Sequence, residues 1–177
     1  MSINLSTAAP KGRSAWPCGA DLANGRSASH IRQMSEQLYN TRILRLAASI
    51  PHQTRLDAPA GSAACVSPVC GSRVTVDLDI GAQGHVARFG QEVRACALGQ
   101  ASASLLGARI IGMALQDVRS GRQAVADFLA QKADLPKAWE DYALFGPAQS
   151  HKARHPSILL AFDAVLAAAR AAGHTPD

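Results

Sequence analysis

An alternation of apolar and polar residues marks the segment Arg73–Ile80 near the middle of the chain. Every second residue is apolar, which is the period of a β-strand with one buried face. The sequence GAQG follows and predicts a turn, after which residues 85–89 return as the second strand of a hairpin. A third, short strand is predicted around residues 66–69. The inward-facing residues of the first hairpin strand are Val74, Val76, Leu78 and Ile80.

On both sides of the hairpin, the apolar residues recur with the spacing of a helix. A first helix is predicted to begin directly after Met34 and to end before Pro51, because proline breaks a helix. Segments 51–70 and 145–154 are predicted loops because of their proline, glycine and polar residues. Four more helices are predicted. The first starts after Cys96 and has an apolar stripe that reaches Met113, and the second spans about 123–132. The third starts at Pro136, and the fourth runs from Pro156 to Gly173, since proline suits the start of a helix and glycine its end.

A helix, a small antiparallel sheet and then several helices predict an α+β fold, with the helices packed on one face of a three-stranded sheet. The 177 residues suffice for one domain with a substantial core, predicted to cover 34–177. Residues 1–33 are rich in Ser, Gly and Arg and lack a sustained period, so they are predicted to be a disordered extension in which Cys18 is inert. Their composition also resembles a transit peptide, whereas Met34 followed by a helix looks like a natural start.

The net charge of +5 is concentrated in residues 1–33, which contain four basic residues and one acidic residue. The remaining basic residues are dispersed, without a basic stripe, so the sequence does not predict nucleic-acid binding. No apolar run is long enough to cross a bilayer and no secretory signal is visible, so a cytoplasmic protein without membrane attachment is predicted. In a reducing cytoplasm, grouped cysteines indicate metal binding or catalysis more often than disulfides.

Two of the four cysteines flank the predicted hairpin, Cys70 before it and Cys96 after it. An antiparallel hairpin brings its ends together, so the two thiols are predicted to be neighbours with the geometry of a metal site. Cys96 also begins a predicted helix, whose unpaired N–H groups favour a thiolate, so Cys96 is predicted to be the more reactive thiol. His155 lies at the start of another helix, which can converge on the same patch. The alternative is a pair of buried thiols that act as small hydrophobic side chains.

The segments PVCGSRVTVDLDI and HVARFGQEVRACALGQASASLLG resemble the U-type iron–sulfur cluster scaffolds, which are IscU, SufU and the N-terminal domain of NifU. The sequence LYNTRILRLAASIP is similar to the first helix of the same family. The resemblance extends from about Met34 to Ala172, and the segment around Cys96 is its most specific part. It implies helices packed on a three-stranded antiparallel sheet, in agreement with the pattern of apolar residues.

The resemblance implies a metal or cluster site formed by Cys70, Cys96 and His155. Two positions depart from the family pattern. Ser72 replaces an aspartate that follows Cys-Gly, and Pro156 replaces a third cysteine. Zinc and iron–sulfur centres usually take four protein ligands, so three residues leave one position open. The candidates for the fourth ligand are Cys65, His151, a partner's thiolate and water.

As the resemblance implies, the protein is expected to be a binding module and not an enzyme. It would receive iron and sulfide, hold a transient iron–sulfur cluster and pass it to acceptor proteins, with a cysteine desulfurase as the sulfur-supplying partner. The spacing of 59 positions from Cys96 to His155 resembles the longer spacing of the SufU branch, which gives a first alternative, a zinc-bound sulfur acceptor for the desulfurase. Loss of two site residues gives a second alternative, a family member that keeps the fold and binds no metal.

Overall fold

The computed structural model of the chain describes residues 40–175. Three strands form one antiparallel sheet in the order β1-β2-β3, which confirms the predicted α+β fold. The predictions about residues 1–33, including Cys18 and the start at Met34, lie outside the described residues. The regular elements are α1 (Thr41–Ala48), β1 (Gly61–Val66), β2 (Arg73–Ile80), β3 (Val86–Arg94), α2 (Ala97–Gly107), α3 (Leu115–Leu129) and α4 (His155–Ala171). Short 3₁₀ segments are Ala82–Gly84, Lys137–Ala148 and Lys152–Arg154.

The core lies between the sheet and helix α4, which packs against β1 and β2. Strand β2 has the bounds that its alternation predicted, and Val74, Val76 and Leu78 are fully buried. Helix α4 begins with a proline in its first turn and ends before Gly173, which adopts a positive φ of 83°. Both ends therefore follow the ordinary preferences for proline at the start and glycine after the end of a helix. Within residues 40–175, no helix is long and apolar enough to cross a bilayer.

The predicted third strand exists as β1, but it lies earlier than the predicted 66–69, in a segment that the sequence predicted to be a loop; only Val66 is shared, and residues 68–70 form a turn. β1 pairs with β2 so that Ala63 lies opposite Val76. Its residues are mostly small because α4 approaches closely. A side-chain carbon at Gly61 would lie 2.1 Å from the Ala168 carbonyl oxygen. Glycine and alanine have weak strand preferences, so the tertiary contact with α4 overrides the local signal.

The polar face of the sheet is partly covered, which the alternation did not predict. Asp77 is completely buried beneath the segment that precedes β1. The Arg55 guanidinium pairs with both Asp77 carboxylate oxygens, and the Leu56 amide donates to the same group at 3.1 Å. The Arg55 hydrogen bond holds the pKa of Asp77 below its ordinary value. The segment is therefore fastened across the outer face by a satisfied ion pair.

The helical half of the chain differs from the prediction in three places. Helix α2 stops at Gly107, and the apolar residues beyond it enter a turn in which Gly112 has a φ of 82°. Helix α3 begins at Leu115, eight residues before its predicted start, since only every third or fourth residue of its first half is apolar. Phe145, predicted in a polar loop, is buried within a 3₁₀ segment. There it completes an aromatic cluster with Trp139, Tyr142 and Phe162.

Candidate functional site

The β1–β2 turn brings Cys70 next to the start of helix α2, as the hairpin argument predicted. Gly71 follows Cys70 with a φ of 69°, a conformation that glycine adopts without strain. The Ser72 hydroxyl lies 3.0 Å from the Cys70 Sγ and accepts a hydrogen bond from the Cys96 backbone N–H at 3.3 Å. One serine therefore contacts both cysteines. Cys96 is the N-cap residue of α2, and its side chain makes no capping hydrogen bond.

The start of helix α4 forms the third side of this patch. The Ser157 hydroxyl lies 2.7 Å from the Cys70 Sγ. Helices α2 and α4 are in close contact here. The Ser102 hydroxyl donates to the Ile158 carbonyl at 2.5 Å, and a side-chain carbon at Gly99 would lie 3.1 Å from the Ser157 carbonyl oxygen. Two helix N-termini and one turn thus converge on the Cys70 sulfur, in a region where unpaired N–H groups favour an anion.

Three hydroxyl groups surround the Cys70 sulfur. Desolvation alone raises the pKa of Cys70, but hydrogen bonds with Ser157, Ser67 and Ser72 outweigh that effect and lower the pKa to about 6. The sequence predicted the more reactive thiolate at Cys96, from its helix position alone. The structure instead places the stabilising hydroxyls around Cys70. Ser67 and Ser157 were not recognised as site residues in the sequence, although a serine within the apolar run PSILL was a visible signal.

His155 is the first residue of α4, and its Nε2 lies 3.0 Å from the Ala148 carbonyl oxygen. A carbonyl can only accept, so Nε2 carries the proton of this hydrogen bond. In the neutral imidazole, Nδ1 then holds the lone pair. A metal-binding histidine commonly donates its other ring N–H to a carbonyl in this way.

The proposed fourth ligands have less suitable surroundings. Cys65 packs against the core on the β1 face beneath α4, and burial raises its pKa. The Nδ1 of His151 contacts the Pro147 carbonyl and the Ser150 hydroxyl. Across residues 40–175, no three His, Cys, Asp or Glu side chains are grouped to hold a metal ion as they stand. The ligand set inferred from the sequence therefore stays a prediction.

One groove in the surface lies away from the cysteines and His155. An open groove of about 820 Å³ runs between α3 and the far end of α4, and its lining includes Arg122, Leu166 and Arg170. None of the residues predicted to bind metal lines this groove. The candidate site is thus a surface patch at the start of α4, where Cys70 is exposed.

At pH 7, we expect iodoacetamide to modify Cys70 before Cys65 and Cys96 in the metal-free protein. Cys70 is exposed, while the other two thiols are partly buried. A pKa of about 6 makes roughly nine tenths of Cys70 a thiolate at pH 7, and the thiolate is the nucleophile. The rate should rise with pH and reach half its plateau near pH 6. Peptide mass spectrometry after timed quenching measures each cysteine separately.

Two results would contradict this expectation. Faster modification of Cys96 would restore the argument from its helix position, and a Cys70 rate still rising steeply above pH 8 would show an ordinary thiol. Cys65 is an internal control within the same molecule, because the pKa of its buried thiol is raised.

A family of known proteins shares the sequence pattern of this chain. Residues 38–155 match the family model of the NifU-like N-terminal domain, which is more than half of the chain. The chain belongs to this family. The match confirms the resemblance drawn from the Cys70 and Cys96 segments. No curated protein matches the chain.

Solved structures of NifU-like and related proteins share the fold. An N-terminal NifU-like protein from Brucella abortus is 38% identical, with a TM-score of 0.74, covering 79% of this chain and 97% of its own. A protein described as an iron–sulfur cluster assembly scaffold for the SUF system, from Fervidobacterium islandicum AW-1, is 17% identical with a TM-score of 0.68. That match covers 74% of this chain and 96% of the other. At 17% identity, the likeness shows a common fold.

Proposed function

We propose that this NifU-like protein is an iron–sulfur cluster assembly scaffold that binds iron and sulfide at Cys70 and Cys96. The observation that supports the proposal is the placement of both cysteines around one serine hydroxyl, at the N-termini of two helices. Thiolates are the usual protein ligands of iron–sulfur clusters. The positive ends of the helices and the hydroxyl donors stabilise the negative charge that thiolates and sulfide bring to the patch.

The same patch suits a cargo that must leave again. Cys70 lies on an exposed turn, so an acceptor protein can reach a cluster bound there. Two thiolates and one imidazole leave at least one position for water or a partner's ligand. A ligand of the acceptor protein can enter at that position before the scaffold releases the cluster. In this role, the protein binds and hands over its cargo and catalyses no reaction of its own.

His155 is the proposed third ligand, through Nδ1. Its Nε2–H is held by the Ala148 carbonyl, which fixes the orientation of the ring and increases the basicity of Nδ1. Pro156 offers no ligand atom, so the position of the family's third cysteine contributes nothing to binding here. The fourth ligand is then water or a partner's thiolate.

A second candidate function is that of a zinc-bound sulfur acceptor for a cysteine desulfurase. The observation that favours it is the exposed Cys70 thiol with its pKa of about 6. The Cys70 thiolate would attack the terminal sulfur of the desulfurase persulfide. Cys70 would become the persulfide, and the desulfurase cysteine would leave as its thiolate. Cys70 would then take the acceptor role that the family assigns to the position of Pro156.

Metal and sulfide analysis of the full chain, purified without oxygen, separates these functions. Iron together with acid-labile sulfide, and transfer of both to an apo-ferredoxin, supports the scaffold. About one zinc per chain without sulfide, together with sulfur uptake from a desulfurase, supports the acceptor. Absence of both metals after reconstitution with iron, zinc and sulfide contradicts both functions and indicates a family member that has lost its metal site.

A further inference from the structure

Ser157 is a polar residue in the first turn of α4, directly before the apolar run ILLAF, and it is completely buried. A buried hydroxyl is costly unless it forms a hydrogen bond. Among residues 40–175, the partner that the structure gives the Ser157 hydroxyl is the Cys70 Sγ at 2.7 Å. This is the shortest of the three hydroxyl–sulfur distances, since those to Ser72 and Ser67 are 3.0 and 3.4 Å. The hydrogen bond with the Cys70 sulfur therefore offsets the cost of burying the Ser157 hydroxyl.

The backbone around Ser157 is held against α2. The Ser102 hydroxyl in α2 donates to the carbonyl of Ile158, the next residue of α4. Gly99 leaves room for the Ser157 carbonyl where any side chain would crowd it. Cys96 is the N-cap of the same helix α2. Ser157 thus connects the Cys70 sulfur, on an exposed turn, to the pair of packed helices in which Cys96 is the N-cap residue of α2.

We propose that Ser157 is a positioning residue of the site, which holds the Cys70 sulfur beside Cys96 and keeps its hydrogen bond to that sulfur when metal is bound. The inference rests on the proposed function in one respect, that Cys70 is a metal ligand. It requires no change of protonation, because a metal-bound thiolate is already deprotonated. A thiolate sulfur has enough lone pairs to bind a metal and accept a hydrogen bond at once.

The hydrogen bond has measurable consequences for a bound metal. It draws electron density from the sulfur, so less density is available for donation to the metal. The sulfur-to-metal charge-transfer band should lie at higher energy with the hydroxyl than without it. In an iron–sulfur cluster, hydrogen bonds to sulfur are among the determinants of the reduction potential. Removing the Ser157 hydroxyl should therefore shift that potential to a more negative value.

Cobalt(II) is the probe for the closing experiment, since it reports thiolate ligation through its charge-transfer absorption and needs no sulfide. We expect Ser157→Ala, made in the full chain, to move this band to longer wavelength. The same change should weaken cobalt binding roughly 10-fold to 100-fold, the usual effect of losing a partner of a metal ligand. Ser157→Thr, which restores a hydroxyl, should return the band toward its wild-type position.

Ser104→Ala is the matched control. Ser104 is a buried serine of the adjacent helix α2, but its hydroxyl donates to the Ser49 carbonyl and contacts neither the Cys70 sulfur nor the start of α4. We expect this variant to lower the thermal midpoint and to leave the cobalt band unchanged. Circular dichroism confirms that each variant is folded before its cobalt spectrum is compared. The comparison of Ser157→Ala with the alanine control is sufficient to test the inference, even where Ser157→Thr does not fold.

The possible results separate the inference from the proposed function. Equal band positions and affinities for the wild type and Ser157→Ala would overturn the inference, whatever the iron content. A shifted cobalt band in a protein that takes up no iron and sulfide would support the inference and contradict the scaffold function. A wild-type chain that binds neither cobalt nor iron would overturn both, because Cys70 would then be no metal ligand.

Discussion

Replacing Cys96 with alanine is expected to abolish iron and sulfide binding by this NifU-like protein. The Ser72 hydroxyl contacts the Cys70 sulfur and the Cys96 backbone N–H, and a cluster held by one thiolate and one imidazole lacks most of its usual protein ligands. The metal affinity should fall by more than about 100-fold, beyond the range for partners that only support a ligand. Iron and acid-labile sulfide, measured per chain after anaerobic reconstitution, give the result.

The fold should survive this change. The Cys96 side chain makes no capping hydrogen bond, so alanine removes no cap from helix α2. Cys65→Ala is the matched control, because the Cys65 thiol packs against the core beneath α4 and its pKa is raised. That variant should keep its iron and sulfide. His155→Ala should reduce the occupancy without abolishing it, since both thiolates remain. Full occupancy without Cys96 would contradict the site described above.

The fold was predictable where one residue period dominates. Strand β2 has strict alternation and helix α4 has a continuous apolar face, and both have nearly the bounds expected from the sequence. Strand β1 has neither feature. Its six residues, GSAACV, look like a loop, and they form a strand because α4 lies directly over Gly61. That contact joins residues more than 100 positions apart, and no local pattern reports it. The burial of Asp77 beneath Arg55 escaped prediction for the same reason.

The site was predictable to the extent that it depends on topology. The pairing of Arg73 with Arg94 brings the ends of the hairpin together, and Cys70 and Cys96 follow from it. The prediction of Cys96 as the more reactive thiol counts the helix dipole and omits the hydroxyls around Cys70, so the alkylation rates decide between the two thiols. The role of Ser157 depends on how α4 docks beside the turn. A serine inside an apolar run is a signal in the sequence, but its partner appears only in the structure.

The close approach of α4 to the sheet gives the second large expected effect. Gly61→Ala should destabilise the protein by about 3 kcal/mol, at the upper end of the usual cost of overpacking. The added carbon would lie 2.1 Å from the Ala168 carbonyl oxygen, 2.8 Å from the Ala172 Cβ and 2.9 Å from its nitrogen. All three atoms belong to the last turn of α4 or the residue after it, so the helix itself must shift. The smaller freedom of alanine in the unfolded chain offsets only about 0.4–1 kcal/mol.

Gly81→Ala is the control for the Gly61 variant. Gly81 is exposed, its φ of −83° suits any residue, and an added carbon would lie 3.4 Å from the Ala87 Cβ, an ordinary contact. The free energy of unfolding of the Gly81→Ala variant should differ from that of the wild type by less than about 0.5 kcal/mol, as for most surface substitutions. Urea denaturation followed by circular dichroism measures both free energies. Because α4 also carries Ser157 and His155 at its other end, a displaced helix should weaken cobalt binding as well. A Gly61→Ala protein as stable as the wild type would show that β1 and α4 are farther apart than described.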